Sequence, residues 1–115
     1  MIEVRFFRTT SGSNPVEEFF DTLSDKQVEK ILWVLRIIRD LDYIPKEYFK
    51  KLIGTEDLWE VRVKYGNNHY RLLGFFIKNK IIILTNGFAK KTQKTPRKEI
   101  KLAQARKKEY MNRNQ

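Results

Sequence analysis

The stretch LWEVRVKYGNNHYRLLGFFIKNKIIILTNG, residues 58–87, decides the fold. LWEVRVKY (58–65) alternates apolar and polar residues, the two-residue period of a strand. HYRLLGFFI (69–77) and KIIILTNG (80–87) carry apolar residues on both faces, as central strands of a covered sheet do. The links GNN and KN are of hairpin length. Three strands joined in this way imply an antiparallel meander.

Upstream, IEVRFFR (2–8) reads as a strand, and TTSGSNP as a loop. Asn14 is a plausible N-cap and Pro15 a first helical residue, with Val16, Phe19, Phe20 and Leu23 following at helical spacing. A short helix over about 15–23 results. Ser24 then opens SDKQ, a capping-box pattern with Gln27 at its third position. Val28, Ile31, Leu32, Leu35 and Ile38 form one stripe of a second helix, which runs to about Leu41 and stops before Pro45. Residues 46–57 show no clear period, with Leu52 and Ile53 before Gly54 as a short turn-bounded segment.

Downstream lies the basic run GFAKKTQKTPRKEI, residues 87–100, with Gly87 and Phe88 ending the last strand. Thr95 is a candidate N-cap beside Pro96, and Ile100, Ala103 and Tyr110 share one face of a closing helix. The order is therefore β-α-α-β-β-β-α, an α+β fold with the helices gathered on one face of the meander. At 115 residues the chain fits one domain, 1–115.

The formal net charge is +10, from 24 Lys and Arg against 14 Asp and Glu, which points to a polyanionic partner: nucleic acid or a strongly acidic protein. No cysteine is present, so disulfides and thiolate metal sites are excluded. The one histidine, His69, lacks partners for a His-based metal site. There is no Gly-rich phosphate loop and no nucleophile elbow. No apolar stretch suits a signal peptide or a membrane span, so a cytoplasmic protein with no membrane attachment is expected.

What remains for chemistry is basic residues on strands. With Asn67 and Asn68 as a two-residue turn, Lys64 lies opposite Arg71 and Arg62 opposite Leu73. Arg62, Lys64 and Arg71 then share one face, while Val61, Val63, Tyr65, Tyr70 and Leu72 share the apolar other. Three converging cations repel one another unless an anion joins them, and a phosphate would satisfy them. Lys90 and Lys91 follow the third strand, next to the strand bearing Arg71. Other residues have two readings each. Phe88 packs in the core or stacks on an unpaired base. His69 shuttles a proton or sits solvated at a turn. Glu60 is a general base or the ion-pair partner of Arg62.

LWEVRV, HYRLLGFF and IIILTNGFAKKTQKTPRKEIKLAQAR together resemble the HigB-type branch of the RelE/ParE toxin superfamily. The resemblance runs the length of the chain and is most specific from Leu58 to Arg106. It implies a RelE-like fold: an antiparallel meander with an N-terminal strand, two N-terminal helices packed on one face, and a C-terminal helix. It also implies a type II toxin that cuts messenger RNA in the ribosomal A site, near 16S rRNA, with no cofactor or metal. A HigA-like helix-turn-helix antitoxin would hold it inactive. Related toxins carry basic residues on the strand before the hairpin, an arginine following a tyrosine after it, and basic residues beyond the last strand. Here Arg62 and Lys64, Arg71 after Tyr70, and Lys90 and Lys91 fill those positions as the catalytic set. His69, Phe88, Lys94, Arg97 and Lys98 are the expected RNA contacts. Some relatives place a tyrosine or histidine beyond the last strand as general base; this sequence has Phe88, Thr92 and Gln93 there. Two other readings are a ParE-like gyrase poison and a non-catalytic RNA- or ribosome-binding domain.

Overall fold

A computed structural model describes residues 1–91 and 94–114. In chain order the elements are β1 (Glu3–Phe6), α1 (Pro15–Phe20), α2 (Asp25–Asp40), β2 (Phe49–Lys51), β3 (Leu58–Tyr65), β4 (Asn68–Ile77), β5 (Ile81–Lys90) and α3 (Arg97–Arg113). The five strands form one sheet in the order β1-β5-β4-β3-β2. The meander β3-β4-β5 is antiparallel throughout, and β1 joins it in parallel beside β5. The α+β architecture expected from the sequence is present, with one strand more. β2 occupies the segment left without a period and pairs with β3 at the sheet edge. Three residues are too few to print a period of two.

The N-terminal helices start where their caps demand. Asn14 accepts from the Glu17 amide, and Ser24 and Gln27 close a reciprocal capping box. α1 ends at Phe20, earlier than the spacing suggests, because Thr22 and Leu23 amides turn back to the Phe19 and Phe20 carbonyls. The start of α3 differs from expectation. Its N-cap position is Pro96, and the Thr95 hydroxyl is engaged elsewhere, on Glu60.

The helices do not gather on one face. α2 packs Ile31, Val34, Leu35 and Ile38 against Val61, Val63, Tyr70 and Leu72. α3 packs Ala103, Ile100 and Tyr110 against Leu58, Leu73, Phe75 and Ile83 on the opposite face. The physical reason is visible in β4, where Leu72 and Leu73 point to opposite faces and both are fully buried. A strand apolar on both sides needs cover on both sides.

Two further details place the site. The β3–β4 hairpin turns at Gly66 and Asn67, with Gly66 at φ 60°, so Arg62 pairs with Arg71 and Lys64 with His69. This register differs by two residues from the expected one. A slip of two keeps every side chain on its face, whereas a slip of one would invert them all. Tyr65 stays on the apolar side but lies at the rim, 36% exposed. The second detail is a β-bulge in β5. Leu73 pairs with Asn86 and Gly74 with Leu84, leaving Thr85 as the extra residue. Beyond it, Phe88 pairs with Arg71 and Lys90 with His69, and β5 continues past Gly87 to Lys90. No helix among the described residues is long and apolar enough to cross a membrane.

Candidate phosphate-binding cleft

α3 covers only half of its face of the sheet. The Leu58, Leu73, Phe75 and Ile83 end is sealed by its apolar stripe. The hairpin end of the same face is open. It forms a cavity of about 500 Å³ lined by Glu47, Arg62, Val63, Lys64, His69, Arg71, Lys90 and Lys91. All five residues expected to act in catalysis thus reach one cleft, together with His69, one of the expected RNA contacts. Strand alternation brings Arg62 and Lys64 there from β3, and His69 and Arg71 from β4. The bulge brings Lys90 from β5.

The floor is organised by one carboxylate. Glu60 is 3% exposed, and its Oε1 lies 3.6 Å from the Nε of both Arg62 and Arg71. Its Oε2 accepts a hydrogen bond from the Thr95 hydroxyl. Arg71 is 6% exposed and donates from Nη1 to the Tyr70 carbonyl at 3.0 Å. Arg62 donates from Nη1 to the Lys46 carbonyl at 3.4 Å. At 3.6 Å the Nε contacts to Glu60 are ionic and not hydrogen bonds. Both Nε groups are therefore buried donors without an acceptor. Of the two readings open for Glu60, the ion pair holds, and it extends to Arg71 as well as Arg62.

Burial pulls the Arg71 guanidinium below the usual arginine range, opposed by Glu60 and reinforced by Arg62. Burial also lowers the Lys90 ammonium below the usual lysine value; Glu60 opposes this, while Arg71, Arg62 and Lys50 add to it. The lysine softened by its surroundings is thus one at the end of β5, next to the paired arginines.

Phe88 is a correction to the expected RNA contacts. It is 9% exposed and belongs to the core beneath α3, so its ring has no face to offer a base. His69 is exposed at the cleft mouth. Lys94, just before α3, and Arg97 and Lys98, its first two residues, are exposed outside the cleft lining. Thr92 and Gln93 lie outside the described residues. Glu47 was not foreseen, because it sits just before β2 in the stretch without a period and carries no motif.

The rest of the basic motif has structural work. The Thr85 hydroxyl donates to the Leu73 carbonyl and to Asn86 Oδ1. Asn86 Nδ2 donates to Glu99 Oε1 at 3.0 Å, and Arg106 Nη1 to the Thr85 carbonyl at 2.9 Å. Glu99 and Arg106, both on α3, therefore clamp the bulge that aims Lys90.

The family model described as Phage derived protein Gp49-like (DUF891) matches residues 18–108. No curated protein matches the chain.

Proposed function

The chain belongs to the Gp49-like family, a RelE/HigB-like toxin family of toxin–antitoxin systems, and on that premise we propose that it is a ribosome-dependent endoribonuclease of the HigB type. Family members are generally RNases, and the family implies an antitoxin partner. In the proposed reaction the chain cuts translated message in the ribosomal A site, and a HigA-like antitoxin holds it inactive. The observation that carries this reading is the directly paired Arg62 and Arg71, which line one cleft together with Lys64, His69, Lys90 and Lys91. Guanidinium and ammonium groups converging in this way fit a phosphate.

RNA brings its own nucleophile. The 2′-oxygen attacks the adjacent phosphorus, the bond from phosphorus to the 5′-oxygen breaks, and the products are a 2′,3′-cyclic phosphate and a 5′-hydroxyl. The chain must hold the phosphate in line, stabilise charge on its oxygens, and move two protons. Arg62 and Arg71 take the oxygens. Lys90 protonates the leaving 5′-oxygen, a role that its lowered pKa favours because the proton leaves more readily. Lys91 adds positive charge at the mouth. For the 2′-hydroxyl proton the cleft offers Lys64, and also Glu47 and His69, as acceptors within the same lining. Exposed Lys94, Arg97 and Lys98 steer the chain toward ribosomal RNA.

The test is to induce the chain, map messenger 5′ ends, and assay gyrase-dependent DNA breaks. In-frame cuts in translated message are expected. DNA breaks without cuts would point instead to a gyrase poison, and neither signal to a binding domain; either result overturns the proposal.

A further inference from the structure

We propose that Glu60 is the positioning residue of the cleft: its buried carboxylate holds both arginines ready for a phosphate, and Thr95 in turn holds Glu60. The proposal rests on the RNA-cleaving reading above. Glu60 is not among the residues lining the cleft, so it acts through Arg62 and Arg71 and not on substrate. Two arginines placed directly opposite each other on paired strands repel, and a buried cation without a counter-charge is costly. One oxygen equidistant from both Nε atoms, 3.6 Å to each, answers both problems at once. At that distance each Nε is held by charge and not by a hydrogen bond, and both Nε atoms are buried on the Glu60 side. The guanidinium groups are thus fixed from below, while both residues line the cleft that would receive an anion.

Thr95 completes the device. Its hydroxyl gives up the helix-capping role and donates to the second carboxylate oxygen, which sets the rotation of the carboxylate about its own axis. The bond joins β3 to the chain that leaves the basic segment, 35 residues further on. Gln in place of Glu60 keeps the shape and loses the charge. Asp keeps the charge and withdraws it by one methylene. The two substitutions therefore separate charge from reach.

The test uses the full chain with Glu60→Gln, Glu60→Asp and Thr95→Val. One readout needs no cleavage: exchange of the arginine Nε–H signals with solvent by NMR, with and without inorganic phosphate. The second is kcat and KM on ribosomes programmed with a short message. With Gln, the Nε–H signals of both arginines should exchange about tenfold faster, and kcat should fall about 100-fold with KM changed by less than about threefold. Asp should recover part of that kcat, and Thr95→Val should lose roughly tenfold. The alkaline limb of the kcat profile should also move to lower pH in Gln. Of the charged groups that act on Lys90 (Glu60, Arg71, Arg62 and Lys50), Glu60 alone holds the proton on. That shift follows from the lost charge alone, so the kcat loss at nearly constant KM and the Nε–H exchange are what report the positioning. Wild-type kcat and unchanged Nε–H exchange in a folded Gln variant would overturn the proposal. If that variant does not fold, the same result in Thr95→Val does so. If the wild-type chain leaves message intact, the reaction assigned above fails, while the exchange measurement still decides for or against Glu60.

Discussion

Replacing Arg71 with Ala separates the chemistry of the cleft from its stability. The side chain is 6% exposed, so its loss has a structural cost. The Nη1 bond to the Tyr70 carbonyl disappears, at about 1 kcal/mol. Glu60 loses one of two cations, but Arg62 and the Thr95 hydroxyl remain, so the carboxylate is not orphaned. The cost therefore stays below the roughly 3–5 kcal/mol of a broken buried pair. Relief of the repulsion between Arg62 and Arg71 returns about 0.2–1 kcal/mol. The net destabilisation is about 1–3 kcal/mol, a melting-point fall on the order of 5–10 °C, which leaves a domain of this size folded at 25 °C. The catalytic cost is larger. Losing one preorganised donor to a transition-state oxygen costs about 100- to 1,000-fold in rate. Lys90 also loses a neighbour that lowers its pKa and becomes a weaker acid. Single-turnover cleavage on programmed ribosomes gives the rate, and circular dichroism gives the melt. A folded Arg71→Ala chain that cuts within tenfold of wild type would refute the assignment of Arg71 to the phosphate.

Lys90→Met should abolish cleavage yet raise the melting temperature at pH 7. Because the folded pKa of Lys90 lies below its unfolded value, its protonated form costs stability whenever pH is below the folded value, and the gain from Met should fade as pH rises from there toward the ordinary lysine range; an unchanged melt would count against burial as the cause. Gly74→Ala should destabilise more than Gly87→Ala in chemical denaturation, by about 1–3 kcal/mol. A Cβ at Gly74 would lie 2.5 Å from the Ile83 carbonyl oxygen, which is backbone, whereas at Gly87 it meets the ends of the Leu72 and Phe19 side chains, which can move. Arg97→Glu with Lys98→Glu should weaken ribosome association and flatten its dependence on log salt by about 1–2 units, leaving single-turnover cleavage of bound message within about threefold.

The cationic face could be read from the sequence because it needed only parity. Arg62, Lys64 and Arg71 land together in any even-length hairpin turn, so an error of two in register did not disturb them. Both N-terminal helices were legible because their caps are local: each lies within four residues of the amide it satisfies. What escaped was long-range. Glu60 and Thr95 meet across 35 residues, and Thr95 reads as a helix cap only while Glu60 is out of sight. Glu47 reaches the cleft through the path of an edge segment with no pattern of its own. The side taken by α3 was contained in the two-sided burial of β4, since Leu72 and Leu73 cannot both be covered from one face.

The bulge at Thr85 explains why the basic motif is long when the chemistry it supplies is small. Along an unbroken β5 the residues facing the cleft after Ile81 and Ile83 would be Thr85, Gly87 and Ala89, and Lys90 would turn to the other face. One extra residue reverses this, so that Asn86, Phe88 and Lys90 face the cleft side instead. Phe88 then fills the core next to Arg71, and Lys90 comes to stand beside the arginine pair. A bulge interrupts ladder hydrogen bonds and has to be held. The Thr85 carbonyl is held by Arg106, and Asn86 by Glu99, from the first and third turns of α3. Ile100 and Ala103 lie between those two clamps and seat the helix. From Thr85 to Arg106, then, most of the motif serves to present one lysine at one position. A substitution at Arg106, remote from the phosphate, should therefore act on cleavage through the aim of Lys90.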